Sequence, residues 1–271
     1  MPRISIGDCQ LHYERHGAGF PVVLITGLAG TAQYWHDQVP SLSRSFEVIV
    51  HDHRGMGDSD STTCVATMER LAADVIALMD ALRLPKAHVI GHSAGGAVAQ
   101  ILAIEQPQRL ASVVIAASWT KADGYFRRLF ALRKEILLRL GPASYVQANT
   151  LFLYPSEYIA RNHEKLRQIE AQALAHFPNP ERMLSRIDAI LAFDRASELG
   201  RIRTPSLIVA ANDDLVTPSY FSEELARRIP GAEAKFFAQG GHYFTQVLPR
   251  EFNHAVLPFL AAHTPAEARA S

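Results

Sequence analysis

Residues 87–100 read Ala87-His88-Val89-Ile90-Gly91-His92-Ser93-Ala94-Gly95-Gly96-Ala97-Val98-Ala99-Gln100. The apolar run Ala87 to Ile90 predicts a buried strand, and Ala94 to Ile104 predicts a helix. Between them stands Gly91-His92-Ser93-Ala94-Gly95, a G-x-S-x-G pattern at a strand-to-helix turn. A serine pinched there takes a strained backbone conformation that lifts its Oγ clear of both elements. Gly91 and Gly95, two residues to either side, mark where strand and helix pass too closely for a Cβ. The N–H of Ala94, at the helix start, points where an oxyanion would form. Ser93 is thus the candidate nucleophile and Ala94 a candidate oxyanion donor.

Outward from this turn the chain alternates strand and helix. Ile4-Ser5-Ile6 and Gln10 to Arg15 predict an opening antiparallel pair. Pro21-Val22-Val23-Leu24-Ile25 is a continuous apolar run, as a strand buried on both faces requires. It ends in the small-residue loop Thr26-Gly27-Leu28-Ala29-Gly30, before a predicted helix carrying Tyr34, Trp35, Val39 and Leu42. Phe46 to Val50 is the next strand. Met68 to Leu84 has helical apolar spacing up to Pro85. Ser112 to Ala116 predicts another buried strand. Such alternation means a parallel sheet with helices on both faces.

After Ser118 the alternation stops. From Lys121 to about Ser197 only helical patterning is found, with Phe126, Leu129, Phe130, Arg133, Leu137 and Leu140 in one stripe and Met183, Ile187 and Ile190 in another. Gly141-Pro142, Tyr154-Pro155 and Phe177-Pro178 cut it into pieces. This is too long for a plain loop. The sheet resumes at Ser206 to Ala211, and a helix from Tyr220 to Ile229, a strand at Ala234 to Phe237 and a helix from Phe252 to Ala262 follow. The expected division is a core of residues 1–120 and 198–263, a helical insertion of 121–197 and a mobile polar tail of 264–271.

Composition bounds the function. The 271 residues are 48% hydrophobic, enough for a sizeable core. Lys+Arg and Asp+Glu balance at 27 each, so neither nucleic acid nor an anionic membrane is expected as partner. The first eight residues lack an apolar signal core, and no apolar run approaches membrane-spanning length, so the cytoplasm is the expected compartment. Cys9 and Cys64 lie far apart without metal-ligand spacing and read as reduced thiols. His51-x-His53 and His88-x-x-x-His92 lack a third ligand, and no metal site is expected. Gly17-x-Gly19 and Gly55-x-Gly57 are turn glycines rather than phosphate cradles.

A serine hydroxyl needs a base within hydrogen-bond reach. Downstream of Ser93 the histidines are His163, His176, His242, His254 and His263. His242, in Gly240-Gly241-His242-Tyr243 after the last strand, sits where glycines let a loop carry the imidazole over the sheet edge. The acid orienting it should stand at the end of the preceding strand, where both Asp213 and Asp214 qualify. A second oxyanion donor is expected from the loop after Ile25, namely the Leu28 N–H, with Gly27 allowing the close approach.

These residues resemble the α/β-hydrolase superfamily over essentially the whole chain. The likeness rests on Thr26-Gly27-Leu28, Asp52-x-Arg54-Gly55-x-Gly57-x-Ser59, the Gly91–Gly95 turn, Asp214 with Pro218, and Gly241-His242. Many relatives place His-Gly where this chain has Thr26-Gly27. The resemblance implies a mostly parallel eight-stranded sheet flanked by helices, with residues 121–197 as a helical cap. It implies a Ser…Asp…His order, and the acid's spacing of four before a proline selects Asp214 ahead of Pro218. Leu151 to Pro155 and Ala171 to Phe177 are similar to the pyrimidine-utilisation hydrolases that act on aminoacrylate; 3-oxoadipate enol-lactonases share the layout more distantly.

The expectation is a cofactor-independent serine hydrolase acting on a small-molecule substrate, as a monomer or homodimer. Its bond would be an ester, lactone or amide/enamine type; a carbon–carbon hydrolase or perhydrolase with the same triad stays open, as does a non-catalytic receptor on this fold. Gly27, Trp119, Arg133 and Tyr243 are candidate substrate contacts. Residues 121–198 carry a net charge of +3 while the chain is neutral. Arg133 falls among the apolar positions of its helix, which makes it the candidate partner for a substrate carboxylate. The alternative is a solvated basic face, with the Arg133 stem laid along the core and its head in water.

Overall fold

The computed structural model describes residues 2–60 and 64–269. Eight strands form one sheet in the order β1-β2-β4-β3-β5-β6-β7-β8. They are β1 (Arg3–Ser5), β2 (Gln10–His16), β3 (Phe20–Ile25), β4 (Phe46–His51), β5 (Ala87–His92), β6 (Leu110–Ala116), β7 (Ser206–Ala211) and β8 (Glu233–Phe237). β1 and β2 pair antiparallel, as do β2 and β4; every other neighbouring pair is parallel.

The apolar strand runs divide between two cores because successive side chains point to opposite faces. Val23, Ile25 and Val89 face one core with helices α2 (Met68–Ala81) and α3 (Ala94–Glu105). Val22, Leu24 and Ile90 face the other, with Trp35, Leu42, Phe252 and Leu260. The helix expected across Tyr34 and Leu42 is instead two pieces, a 3-10 turn at Ala32–Trp35 and α1 (Val39–Leu42). Pro40 explains the break, since a proline lacking its N–H opens a helix more readily than it continues one.

Between β6 and β7 run four α-helices, α4 (Gly124–Leu153), α5 (Ser156–Arg161), α6 (His163–Ala175) and α7 (Pro180–Ala192), followed by a 3-10 helix at Ala196–Arg201. α4 is bent at Gly141, whose φ of 81° and ψ of 179° break the helix before Pro142. The excursion begins and ends at one place. Lys121 and Asp194 form an isolated antiparallel bridge, and the Arg195 N–H donates to Thr120 O at 3.1 Å. The chain closes through α8 (Ser219–Arg228), α9 (Phe244–Val247), α10 (Pro249–His263) and α11 (Ala266–Arg269). Of the stretch expected as a mobile tail, Thr264 is buried with its hydroxyl on Leu260 O, and Ala266–Arg269 are helical; residues 270 and 271 lie outside the described residues. No helix among the described residues is long and apolar enough to cross a membrane.

His88 illustrates the cost of the buried polar groups. It lies wholly inside, between the rings of Phe20 and Phe46, with Nδ1 2.8 Å from Ser112 Oγ and Nε2 3.1 Å from Thr264 Oγ1. Burial lowers its pKa from 6.5 to about 4. Below pH 6.5 the unfolded chain takes up a proton that the folded chain refuses, so stability falls as pH drops towards 4. His88 alone accounts for roughly 2 kcal/mol between pH 7 and pH 5. Urea unfolding of wild type and His88→Gln at both pH values tests this: the loss on acidification should shrink by about that amount in the variant, and equal losses would show that His88 is not its source.

Candidate active site

Ser93 sits between β5 and α3 with φ 55° and ψ −117°, off the regions that residues with a Cβ favour. The reason is the tightness of the turn. A Cβ on Gly91 would stand 2.1 Å from Gly95 O, and one on Gly95 would stand 2.1 Å from Ile25 O. The backbone of Ser93 is held on both sides: its N–H donates to Ala116 O at 2.8 Å, and Ser118 Oγ donates to its carbonyl at 3.0 Å. Ala94 is the first residue of α3, and its N–H donates to no group among the described residues.

The two neighbouring aspartates after β7 have different partners. Asp214 Oδ2 accepts from His242 Nδ1 at 2.8 Å and from Thr217 Oγ1 at 2.8 Å. Its Oδ1 accepts from the N–H groups of Val216 and Thr217 at 2.7 and 2.9 Å. Four donors on one buried carboxylate hold it still. Because His242 Nδ1 carries the donated proton, Nε2 is the basic nitrogen. Asp213 holds the loop before it instead, accepting from the N–H groups of Gly240 and Gly241 at 3.1 and 2.8 Å. Gly240 and Gly241 have φ of 141° and 64°, which is why a glycine pair stands here.

His92 joins the two halves of the site. Its Nε2 donates to the main-chain carbonyl of His242 at 2.9 Å, and the two rings lie 4.8 Å apart. Burial, with the nearby His242 second, holds its pKa well below 6.5, so the ring is neutral. Tyr34 stacks on it at 4.7 Å and hydrogen-bonds Thr245. The end of α4 also reaches this loop, since the Tyr243 N–H donates to Leu153 O at 3.0 Å.

The loop after β3 lies against the serine. A Cβ on Gly27 would come 3.1 Å from Ser93 Cβ. The Leu28 N–H has no acceptor among the described residues, while its carbonyl accepts from Arg186 Nε at 3.0 Å. Arg186 was not among the expected site residues. Its signal was present, because it falls three residues after Met183 and beside Ile187 in the buried stripe of α7.

Of the expected substrate contacts, Arg133 is buried, as its place in the stripe implies. Its Nε donates to Asn149 Oδ1 at 2.9 Å and its Nη2 to Tyr145 OH at 3.2 Å, with the guanidinium 4.6 Å from the Phe130 ring centre. No carboxylate among the described residues forms an ion pair with it. Tyr243 packs its ring beside His242 and Tyr154; burial pushes its hydroxyl up to about 12, against the opposing charge of Arg133. Trp119 is fully buried against Phe126 and Phe193, with its indole N–H unpartnered among the described residues. Among the described residues one cluster has metal-ligand types, His12, Asp52 and Asp58, whose ligand atoms lie within 4.8 Å of one another. Asp52 accepts there from His12 Nδ1, the Asp58 N–H and the Ala32 N–H, bonds that fix the loop.

Known proteins share this fold. The family model of the alpha/beta hydrolase fold matches residues 21–245. A protein of Azorhizobium caulinodans provisionally named carbamate hydrolase RutD is 43% identical over 259 residues, covering 96% of this chain and 98% of its own length. Its counterpart in Caulobacter vibrioides is 43% identical over 266 residues, covering 96% of this chain and 99% of its own. Among solved structures, an enol-lactonase from Burkholderia xenovorans superposes with a TM-score of 0.88 at 26% identity, covering 96% of this chain and all of its own. A thermophilic esterase from Thermogutta terrifontis gives 0.85 at 26% identity, covering 97% and 99% of the two chains.

Proposed function

The chain belongs to the α/β-hydrolase fold family, and on that premise we propose that it is a cofactor-independent serine hydrolase with Ser93, His242 and Asp214 as its triad. The observation that carries this reading is the Asp214–His242 hydrogen bond of 2.8 Å, made by a histidine whose ring lies 4.8 Å from that of His92, the residue before Ser93 at φ 55°. Ser93 Oγ attacks the substrate carbonyl carbon while His242 Nε2 takes its proton. The N–H groups of Leu28 and Ala94 receive the oxyanion. As the tetrahedral intermediate collapses, imidazolium returns the proton to the leaving oxygen or nitrogen. Water then attacks the acyl carbon and gives a proton to His242. As this second tetrahedral intermediate collapses, the bond to Ser93 Oγ breaks, the imidazolium returns the proton to Oγ, and the acyl group leaves as an acid.

The bond cleaved is an ester, lactone or amide/enamine-type link in a small metabolite. Relatives named for carbamate hydrolysis and a solved enol-lactonase support that range. The four helices of residues 121–197 act as a cap over the serine, and Arg133 supplies the charge that a substrate carboxylate would meet. A buried guanidinium resting on an amide, a phenol and an aromatic face retains unused donors.

Ser93→Ala should lose about 10⁶-fold in kcat on the native substrate, and fluorophosphonate labelling should vanish with it. Retention of more than a small fraction of turnover in the folded variant would remove Ser93 from the mechanism.

Asp214→Asn should cost on the order of 10⁴-fold, because an amide cannot hold the imidazole in its productive tautomer. Asp213→Asn, which weakens only the bonds to Gly240 and Gly241, should cost far less. The reverse ranking, from kcat/KM with p-nitrophenyl acetate, would reassign the acid.

An anionic short-chain substrate should exceed its neutral methyl ester in kcat/KM by roughly tenfold, the value of one charged hydrogen-bonded pair. Arg133→Met should erase that preference while sparing the neutral ester. A wild type that turns over the neutral ester equally well would show a generic esterase.

A further inference from the structure

Arg186 is a buried charge that the mechanism above does not use. It projects from α7, and no carboxylate among the described residues forms an ion pair with it. Its Nε donates to Leu28 O at 3.0 Å, and its Nη2 reaches Gly27 O at 3.4 Å and His53 Nδ1 at 2.9 Å. Burial, with the charge of Arg182 second, lowers its pKa only to about 10, so it stays cationic at neutral pH. Two carbonyls and an imidazole only partly offset the desolvation of a guanidinium.

His53 is fitted to this cation. To accept at Nδ1 the ring must be neutral, with its proton on Nε2. Burial first, and the Arg186 charge second, hold its pKa well below 6.5. The same turn is tied through the main chain, where the His53 N–H donates to Gly30 O at 2.8 Å and the Gly30 N–H donates to Gly27 O at 3.1 Å.

We propose that Arg186 is a positioning residue for the oxyanion hole. The peptide joining Gly27 to Leu28 is trans, so its carbonyl and its N–H point in opposite directions. Arg186 reaches that carbonyl at 3.4 Å and holds the next one, Leu28 O, at 3.0 Å. Gripping two successive carbonyls fixes the turn and leaves the Leu28 N–H aimed away from the guanidinium, to the side where Gly27 meets Ser93. The same charge stands at the negative end of the peptide dipole and polarises the N–H that receives the oxyanion. Because Arg186 comes from α7, seating of that helix and competence of the hole are one event. The inference rests on Leu28 being an oxyanion donor, and so on the serine mechanism.

The test uses Arg186→Gln and Arg186→Lys with p-nitrophenyl acetate, a neutral substrate that makes no demand on Arg133. In the Gln variant kcat should fall about 10- to 100-fold, below the roughly 10²–10³-fold lost when an oxyanion donor is removed outright, with KM changed by less than about threefold. Affinity for a short-chain boronic acid, whose serine adduct is tetrahedral and anionic, should fall by the same factor as kcat. The Lys variant, keeping the charge on a single donor group, should recover part of both. A folded Gln variant with wild-type kcat would overturn the proposal, as would a fall in kcat with boronate affinity unchanged. Should the Gln variant not fold, the Lys variant decides alone, coupled losses supporting the proposal and wild-type values overturning it. Wild-type kcat in Arg186→Gln beside an inactive Ser93→Ala would leave the serine mechanism standing; activity in Ser93→Ala would remove the mechanism itself.

Discussion

The close approach of β3, β5 and α3 is the constraint from which the rest of the site follows. With 2.1 Å between a hypothetical Cβ on Gly95 and Ile25 O, the helix can start only where its backbone grazes the neighbouring strand. The chain must then turn from strand to helix within one residue, and Ser93 takes that turn at φ 55°. A non-glycine residue in such a conformation costs on the order of 1–3 kcal/mol and persists only when its surroundings over-determine it. Ala116 and Ser118 do so here, one accepting from and one donating to the serine backbone. The same crossing puts the start of α3, and its unspent N–H groups, beside the serine side chain.

Around this turn the distribution of charge is uneven. The carboxylate of Asp214 is surrounded by four donors, whereas the guanidinium groups of Arg133 and Arg186 meet only neutral acceptors among the described residues. Both arginines come from helices between β6 and β7. In a low-dielectric interior their fields reach further than in water. Under the proposed mechanism both charges would oppose the negative charge that substrate and oxyanion bring, while the buried carboxylate of Asp214 is already satisfied.

Much of this was legible in the residues, for identifiable reasons. Strands buried on both faces read as unbroken apolar runs, so Val22 to Ile25 and Ser206 to Ala211 announce a parallel sheet without any partner being known. Arg133 stood out because it falls in an apolar stripe, but a long side chain there can also lay its stem along the core and keep its head in water, and only the fold shows that it is buried. Arg186 lies in the same kind of stripe, but its partners are 158 and 133 residues away in sequence, on loops with no local pattern to name them. The roles of Asp213 and Asp214 likewise turn on contacts made across the fold, 27 and 28 residues on. α9 is only four residues long and shows no period at all.

The paired ends of the excursion between β6 and β7 have a consequence for how such chains diverge. With Lys121 opposite Asp194 and Thr120 bonded to Arg195, the segment leaves and rejoins the sheet at one doorway. A piece of chain attached that way can be replaced by another of different length without moving the strands on either side. What travels with it is the residue on α7 that grips the Gly27–Leu28 turn and the carbonyl of Leu153 that receives Tyr243. Exchange of this segment among relatives would thus pass on new pocket walls and the braces of the reaction centre as a single inheritance. Lineages that kept the sheet but lost the arginine would have to rebuild the brace from elsewhere.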